Sequence, residues 1–290
     1  MPERKPPRSR GRAKIGGPTR AHGRKSGAHR PPAGAGEAGI WLYGVHAVRA
    51  ALANPRRRCL RLLATAEAGQ RLAPAPPDGK ISQKPVGSPP AIETVARERI
   101  DRVLAEGAVH QGLALLVQPL PQPGLRELLV PCSGAQDSGR RVVVVLDQVT
   151  DPQNTGAVLR SAAAFGAAAL ITTRRHAPPE SGALAKAASG ALEYVPYVQA
   201  SNLVRALDAL KSAGFWCLGL SGEAEPNLAE ADPGGPLALV LGAEGPGLRR
   251  LTAAACDVMA RLPTRGPIDA LNVSNAAAVA LYELLGRADS

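Results

Sequence analysis

The sequence predicts an α/β protein: a mainly parallel sheet with helices on both faces, preceded by a smaller α/β domain. Three observations carry this prediction. Beyond residue 140, short Val- and Leu-rich runs alternate with segments of helical spacing, the pattern of strands joined by helical crossovers. The first of these runs, RVVVVLD at residues 141–147, is apolar without alternation, as a strand buried on both faces requires. Hydrophobic residues make up 45% of the 290 but aromatics only 3%, so Ala, Leu and Val must fill the core, and such side chains let helices lie close on a sheet.

Taken in order, residues 1–37 carry ten Lys/Arg against Glu3 and Glu37, a net of +8 out of +11 for the whole chain. This stretch is Arg, Gly, Pro and Ala, so burial cannot offset its ordering entropy and it reads as a disordered basic tail. Such an arm suits phosphate attraction through counterion release, or simple solubilisation. Residues 38–118 form the smaller domain: WLYGVHAVRAALANP has helical spacing through Val45, Val48, Ala51 and Leu52, and CLRLLAT reads as a strand. A Pro-rich insertion at 74–90 interrupts the pattern, RERIDRVLAEG gives a second helix, and LALLV is a strand ending before Pro119. Residues 119–140 read as a linker with one short apolar segment. The larger domain, 141–290, then runs RVVVVLD, a helix from about Thr155, strand AALITT, a helix around 183–191, strand YVPYV, a helix over 203–213, strands WCLGL and LALVLG, a helix over 248–256, strand VMARL and a final helix. Ligands of such sheets sit beyond the carboxyl ends of the strands.

Composition also excludes several classes. Cys59, Cys132, Cys217 and Cys256 are far apart and form no CxxC pair, and the five histidines are scattered, so neither a disulfide framework nor a metal site is indicated. No uninterrupted apolar run approaches the roughly 20 residues that span a bilayer. The N-terminus has no apolar signal segment, and its prolines and glycines oppose an amphipathic transit helix, which leaves the cytoplasm as the expected compartment.

Three strand-exit loops carry unusual chemistry. The first, LDQVTDPQNTGAVLRSAAAFG, lacks the spacing of a dinucleotide fingerprint but places Asn154 and Thr155 where a helix begins, with Arg160 further along. A helix cap alone would account for Asn154 or Thr155. Arg160 stands among Ala157, Ala162, Ala163 and Ala164, which predicts burial, and a buried guanidinium needs an anionic partner. The second loop, LALVLGAEGPGLRR, sets three glycines around Glu244, allowing close backbone approach to a ligand or a tight turn. The third, PIDALNVSNAAAVALYELLGR, crowds Asp269, Asn272, Ser274 and Asn275 at the mouth of an apolar helix. Asn272 or Ser274 suffices as a cap, and the surplus points to a ligand site.

Together, DPQNTGAVLRSAAAFG, LVLGAEGPGLRR and LPTRGPIDALNVSNAAAVALYE resemble the SpoU/TrmH family of SPOUT-superfamily RNA ribose 2′-O-methyltransferases. YGVHAVRAAL and VHQGLALLV resemble the small RNA-binding domain of the branch that methylates a guanosine of 23S ribosomal RNA. The resemblance implies S-adenosyl-L-methionine as methyl donor, RNA as substrate, a homodimer with active sites at the subunit interface, and a C-terminal trefoil knot. It places Asn154, Arg160, Glu244 and Asn272 at the methyl-transfer site. Gly242, Leu262 and Leu271 would line the adenosine pocket, with Ala243, Gly245 and Ser274 also at the donor. One position departs from the family pattern: Ala270 stands where many relatives carry Ser. No metal and no membrane are implied. A transfer RNA guanosine as target, and an inactive RNA-binding assembly factor, are the alternatives; the N-terminal domain and a chain ending directly after the last helix favour ribosomal RNA, and the presence of all four polar residues favours activity.

Overall fold

The computed structural model describes residues 39–72, 89–129, 140–267 and 271–286. The basic tail, nearly all of the Pro-rich insertion, half of the linker, Cys132, Asp269 and Ala270 lie outside the described residues. The expected C-terminal trefoil knot falls partly on 268–270, which also lie outside the described residues.

A four-stranded sheet comes first, in the order β1 (Ile40–Tyr43), β4 (Leu113–Val117), β2 (Cys59–Ala64), β3 (Ile92–Thr94). β4 runs antiparallel to both neighbours and β3 parallel to β2. The connections carry α1 (Val45–Ala53), α2 (Ala66–Arg71) and α3 (Arg97–Asp101). Two expectations change here. Residues 40–43 pair with β4 as a strand instead of opening the helix, because Gly44, at φ 87°, turns the chain before Val45. RERIDRVLAEG yields only the five-residue α3, whose inward anchor, Ile100, is followed by turns.

The second sheet is wholly parallel, as the sequence predicts: β10 (Val258–Ala260), β8 (Trp216–Leu220), β9 (Leu237–Gly242), β5 (Val142–Asp147), β6 (Ala169–Thr173), β7 (Tyr197–Ala200). Every residue of β5 is buried. Val142, Val144 and Leu146 face one core, which holds residues of α5 (Pro152–Phe165), α6 (Gly182–Ala187) and α10 (Val273–Leu281). Val143 and Val145 face the other, with α7 (Leu203–Ser212). Leu125, Leu128 and Leu129 pack there too, so the apolar segment of the linker is a short helix, α4 (Leu125–Leu129), laid on the sheet. α8 (Leu228–Ala231) and α9 (Arg250–Ala254) complete the layers. The helix expected over 248–256 is shorter because Arg249 is already its cap.

A buried polar knot joins the two sheets. Arg57, 4% exposed, reaches Glu193 through Nη2 (2.6 Å) and Nε (3.1 Å), donates to Glu180 and to the carbonyl of Gln118, and Asn54 Nδ2 adds a bond to Glu193 at 2.7 Å. Burial opposes the charge on Arg57, but the hydrogen bonds and Coulomb attraction of Glu193 and Glu180 outweigh it and hold the guanidinium above its usual pKa.

Candidate active site

β5, β9, β8 and β10 are parallel, so the chain leaves all four at one edge of the sheet. The three unusual loops start or end there. At the first, Asp151 caps α5, accepting from the amides of Gln153 and Asn154, both at 3.2 Å, with Pro152 as the first helical residue. The cap is therefore neither Asn154 nor Thr155, and Asn154 keeps its side chain free for other partners. The Asp-Pro pair is itself a helix-start signal that the sequence reading passed over. Asp151→Ala should cost about 1 kcal/mol of stability, read as a fall in unfolding midpoint.

At the second loop, close packing dictates the glycine. A Cβ on Gly242 would lie 2.1 Å from the carbonyl carbon of Gly247 and 2.3 Å from the nitrogen of Leu248. Gly245 and Gly247 have φ of 82° and 65°, and the Gly247 amide closes the turn on the Ala243 carbonyl at 3.0 Å. The far end is pinned by Asp147, fully buried at the tip of β5, which accepts from Arg249 Nε at 2.7 Å and from the Arg249 amide at 3.1 Å. In sequence this pair has only a faint signal, a carboxylate closing an otherwise apolar strand.

Asn272 caps the final helix, as expected, but with one atom only. Its Oδ1 accepts from the Ser274 amide (2.9 Å) and hydroxyl (2.6 Å), while its Nδ2 donates to Asn154 Oδ1 (3.1 Å) and to Glu244 Oε1. Asn154 Nδ2 also donates to Glu244 Oε1, at 3.2 Å. Residues 90 and 118 positions apart thus share one network, in which two amides hold a single carboxylate. Glu244 and Asn272 are exposed and Asn154 half-buried, so the network faces outward rather than serving the core. Ser274 joins it through Asn272.

Gly242, Ala243 and Gly245 lie on the second loop, and Leu262 follows β10 at the same edge, half-buried against the main core. Leu271, beside Asn272, is 42% exposed. On the open side of the loop, a Cβ at Gly245 or Gly247 would meet nothing within 4 Å.

Arg160 departs from expectation. It is exposed, lines a cavity of about 470 Å³ with His46, Ser189 and Tyr194, and makes no hydrogen bond or ion pair among the described residues. Of its alanine neighbours only Ala162 is buried, while Ala163 and Ala164 line the same open cavity. Alanine fits a packed face and an open one equally well, so the composition of α5 misled.

No group of three or more His, Cys, Asp or Glu side chains fit to hold a metal ion occurs among the described residues, and no helix there is long and apolar enough to cross a membrane. Burial pushes Cys59 and Cys256 up to about 11 and Cys217 up to about 12, so at neutral pH these thiols are protonated and poor nucleophiles.

Residues 141–282 match the SpoU rRNA Methylase family, and residues 41–123 match the family described as RNA 2'-O ribose methyltransferase substrate binding. The 23S rRNA (guanosine-2'-O-)-methyltransferase RlmB of Pseudomonas aeruginosa is 40% identical over 248 residues, 84% of this chain and 95% of that protein. Its counterpart in Vibrio cholerae is 38% identical, over 83% of this chain and 94% of that protein. Among solved structures, the SpoU methyltransferase AviRb of Streptomyces viridochromogenes in complex with AdoMet superposes with a TM-score of 0.68 at 21% identity, covering 87% of this chain and 91% of that one. The AdoMet-bound rRNA methyltransferase of Sinorhizobium meliloti does so with 0.66 at 20% identity, covering 87% and 88%. At these identities the two structures speak for the fold.

Proposed function

The chain belongs to the SpoU rRNA methylase family, and on that premise we propose that it transfers a methyl group from S-adenosyl-L-methionine to the ribose 2′-hydroxyl of a guanosine in 23S ribosomal RNA. The observation that carries this reading is the Asn154–Glu244–Asn272 network, which gathers the polar residues of three loops at the strand exits of one sheet. Residues 38–118 are the RNA-binding domain, 119–140 the linker and 141–290 the catalytic domain, a division that the extents of the two family matches support.

The loop fits the donor. Its outer side is open at Gly245 and Gly247, so backbone groups of 242–247 are within reach of a ligand, and Leu262 and Leu271 offer apolar surface for an adenosine base. Gly242, Ala243, Gly245, Leu262, Leu271 and Ser274 are the residues assigned to hold it. When bound, the donor supplies an already activated methyl group on a sulfonium. The chain's own residues are left to align the ribose oxygen and favour loss of its proton. Alignment alone contributes up to about 7–11 kcal/mol in good cases.

Arg160 serves best as a clamp on a neighbouring phosphate that stabilises negative charge developing on the ribose oxygen, because a guanidinium keeps its proton. Asn154 and Glu244 orient it. Within one chain Arg160 lies outside the network, so the assembled site takes two copies, with Arg160 of one facing the network of the other. The exposed Tyr194, Val279 and Tyr282, 58%, 48% and 54% accessible, supply apolar area for such a homodimer. Its place of work is the cytoplasm.

The test is methyl incorporation from labelled donor into ribosomal RNA of cells lacking the gene, mapped to the ribose of a guanosine. Donor binding without incorporation into that RNA would remove the substrate assignment, and no donor binding would remove the activity. Arg160→Lys should leave donor affinity in place and lower turnover about 10²-fold. Near-normal turnover would count against the fork-shaped contact.

A further inference from the structure

A second cavity, of about 490 Å³, opens at the same edge of the sheet, between the ends of β5, β6 and β7 and the starts of α7 and α9. Its lining includes three arginines and a histidine and no carboxylate. Arg249 is already neutralised by Asp147, but Arg175, His176 and Arg250 are exposed and make no hydrogen bond or ion pair among the described residues. Arg175 and His176 sit on a turn closed by the Ala177 amide on the Thr173 carbonyl at 3.0 Å; Arg250 opens α9 across the gap.

The independent observation is Thr173. This cavity-lining residue ends β6, is only 6% exposed, and its Oγ1 is buried without a hydrogen-bond partner. Native proteins rarely bury an unpaired hydroxyl, and where one lines a cation-rich cavity a ligand oxygen is the natural partner. The start of α7, capped by Asn202, turns the positive end of a ten-residue helix toward the same cavity. An acceptor-rich anion fits all of these groups, whereas a cation would be repelled by Arg175 and Arg250.

We propose that this cavity holds a backbone phosphate of the RNA substrate, with Arg175 and Arg250 as its charged contacts and the Thr173 hydroxyl as a donor. The assignment rests on the RNA-methylating function proposed above. Gln148 and Arg249 line the cavity and belong to the same strand-exit loops that carry Asn154 and Glu244, so a phosphate seated here would hold RNA at the edge of the sheet where the proposed site lies. Phosphate contacts set register and orientation without reading sequence, which suits a protein with few exposed aromatic stacking surfaces.

The experiment measures binding of a 23S rRNA fragment by the full chain across a series of KCl concentrations, with steady-state methylation alongside. The Arg175→Ala/Arg250→Ala double variant should bind RNA about tenfold more weakly. Its slope of log affinity against log salt should fall by about one. KM for RNA should rise while kcat at saturating RNA stays within about twofold and donor affinity is unchanged. Arg175→Lys should recover part of the loss, and Thr173→Val should weaken RNA binding without lowering the unfolding midpoint. If wild type is active but the double variant matches its affinity and salt slope, this inference is overturned while the function stands. If wild type neither binds nor methylates the RNA, the functional reading itself fails. Binding of inorganic phosphate by the wild type but not by the double variant, with RNA affinity equal in both proteins, would reassign the cavity to a free anion and overturn the RNA assignment.

Discussion

Gly242→Ala is expected to raise the dissociation constant for S-adenosyl-L-methionine by at least about 10²-fold and to abolish methylation. The added methyl would meet the carbonyl carbon of Gly247 at 2.1 Å, its oxygen at 2.3 Å and the nitrogen of Leu248 at 2.3 Å. All three are main-chain atoms, so no rotamer change relieves the clash, and either the end of β9 or the loop beyond it must move. Overpacking of this kind costs about 1–3 kcal/mol. That is tolerable for a fold whose sheet is buried on both faces, yet the shift falls on the backbone that would carry the donor and on Glu244, two residues on. The expected signature is thus a near-native circular dichroism spectrum with lost donor binding by calorimetry. Donor affinity within a few-fold of wild type would show that this loop does not hold it.

Arg57→Met is expected to be the most destabilising single change outside the apolar cores. It leaves Glu193, 6% exposed, and Glu180, with a side chain 9% accessible, facing each other without a cation. Stranding buried charge in this way costs about 3–5 kcal/mol, roughly 6–20 °C in unfolding midpoint for a unit of this size. The triple variant Arg57→Met, Glu180→Gln, Glu193→Gln should recover most of that loss, because it removes the stranded charges rather than the packing. Scanning calorimetry of the two proteins decides the matter: equal midpoints would mean that the knot contributes shape and not charge pairing.

The strands most legible in the sequence were those the fold buries completely. RVVVVLD, LALLV and LALVLG announce themselves because a strand covered on both faces has no polar side to dilute the pattern. β3, three residues long, and α8, four, could not be read, because such pieces take their conformation from the neighbour they pair with or cap. β1 was hidden behind a helix of matching hydrophobicity, although Gly44 marked the boundary. Strand order was not legible at all: β5 pairs with β9, which begins 95 positions after it, and nothing local records that choice.

At the three loops, the polar surplus singles out Asn154, Glu244 and Asn272, which the structure brings into one hydrogen-bond network. The alanines around Arg160 predict its burial, but Ala163 and Ala164 line an open cavity and leave it exposed. In sequence Asp147 and Asp151 look like a strand end and a turn residue, although one anchors Arg249 and the other releases Asn154 from capping.

Asn272 holds the start of α10 with its oxygen and the Glu244 carboxylate with its nitrogen. Fraying of the last helix and misalignment of the reacting groups are therefore one event, not two. If the start of α10 opens before the sheet does, thermal inactivation should precede the loss of sheet signal, which activity and far-UV circular dichroism followed through one temperature ramp would read.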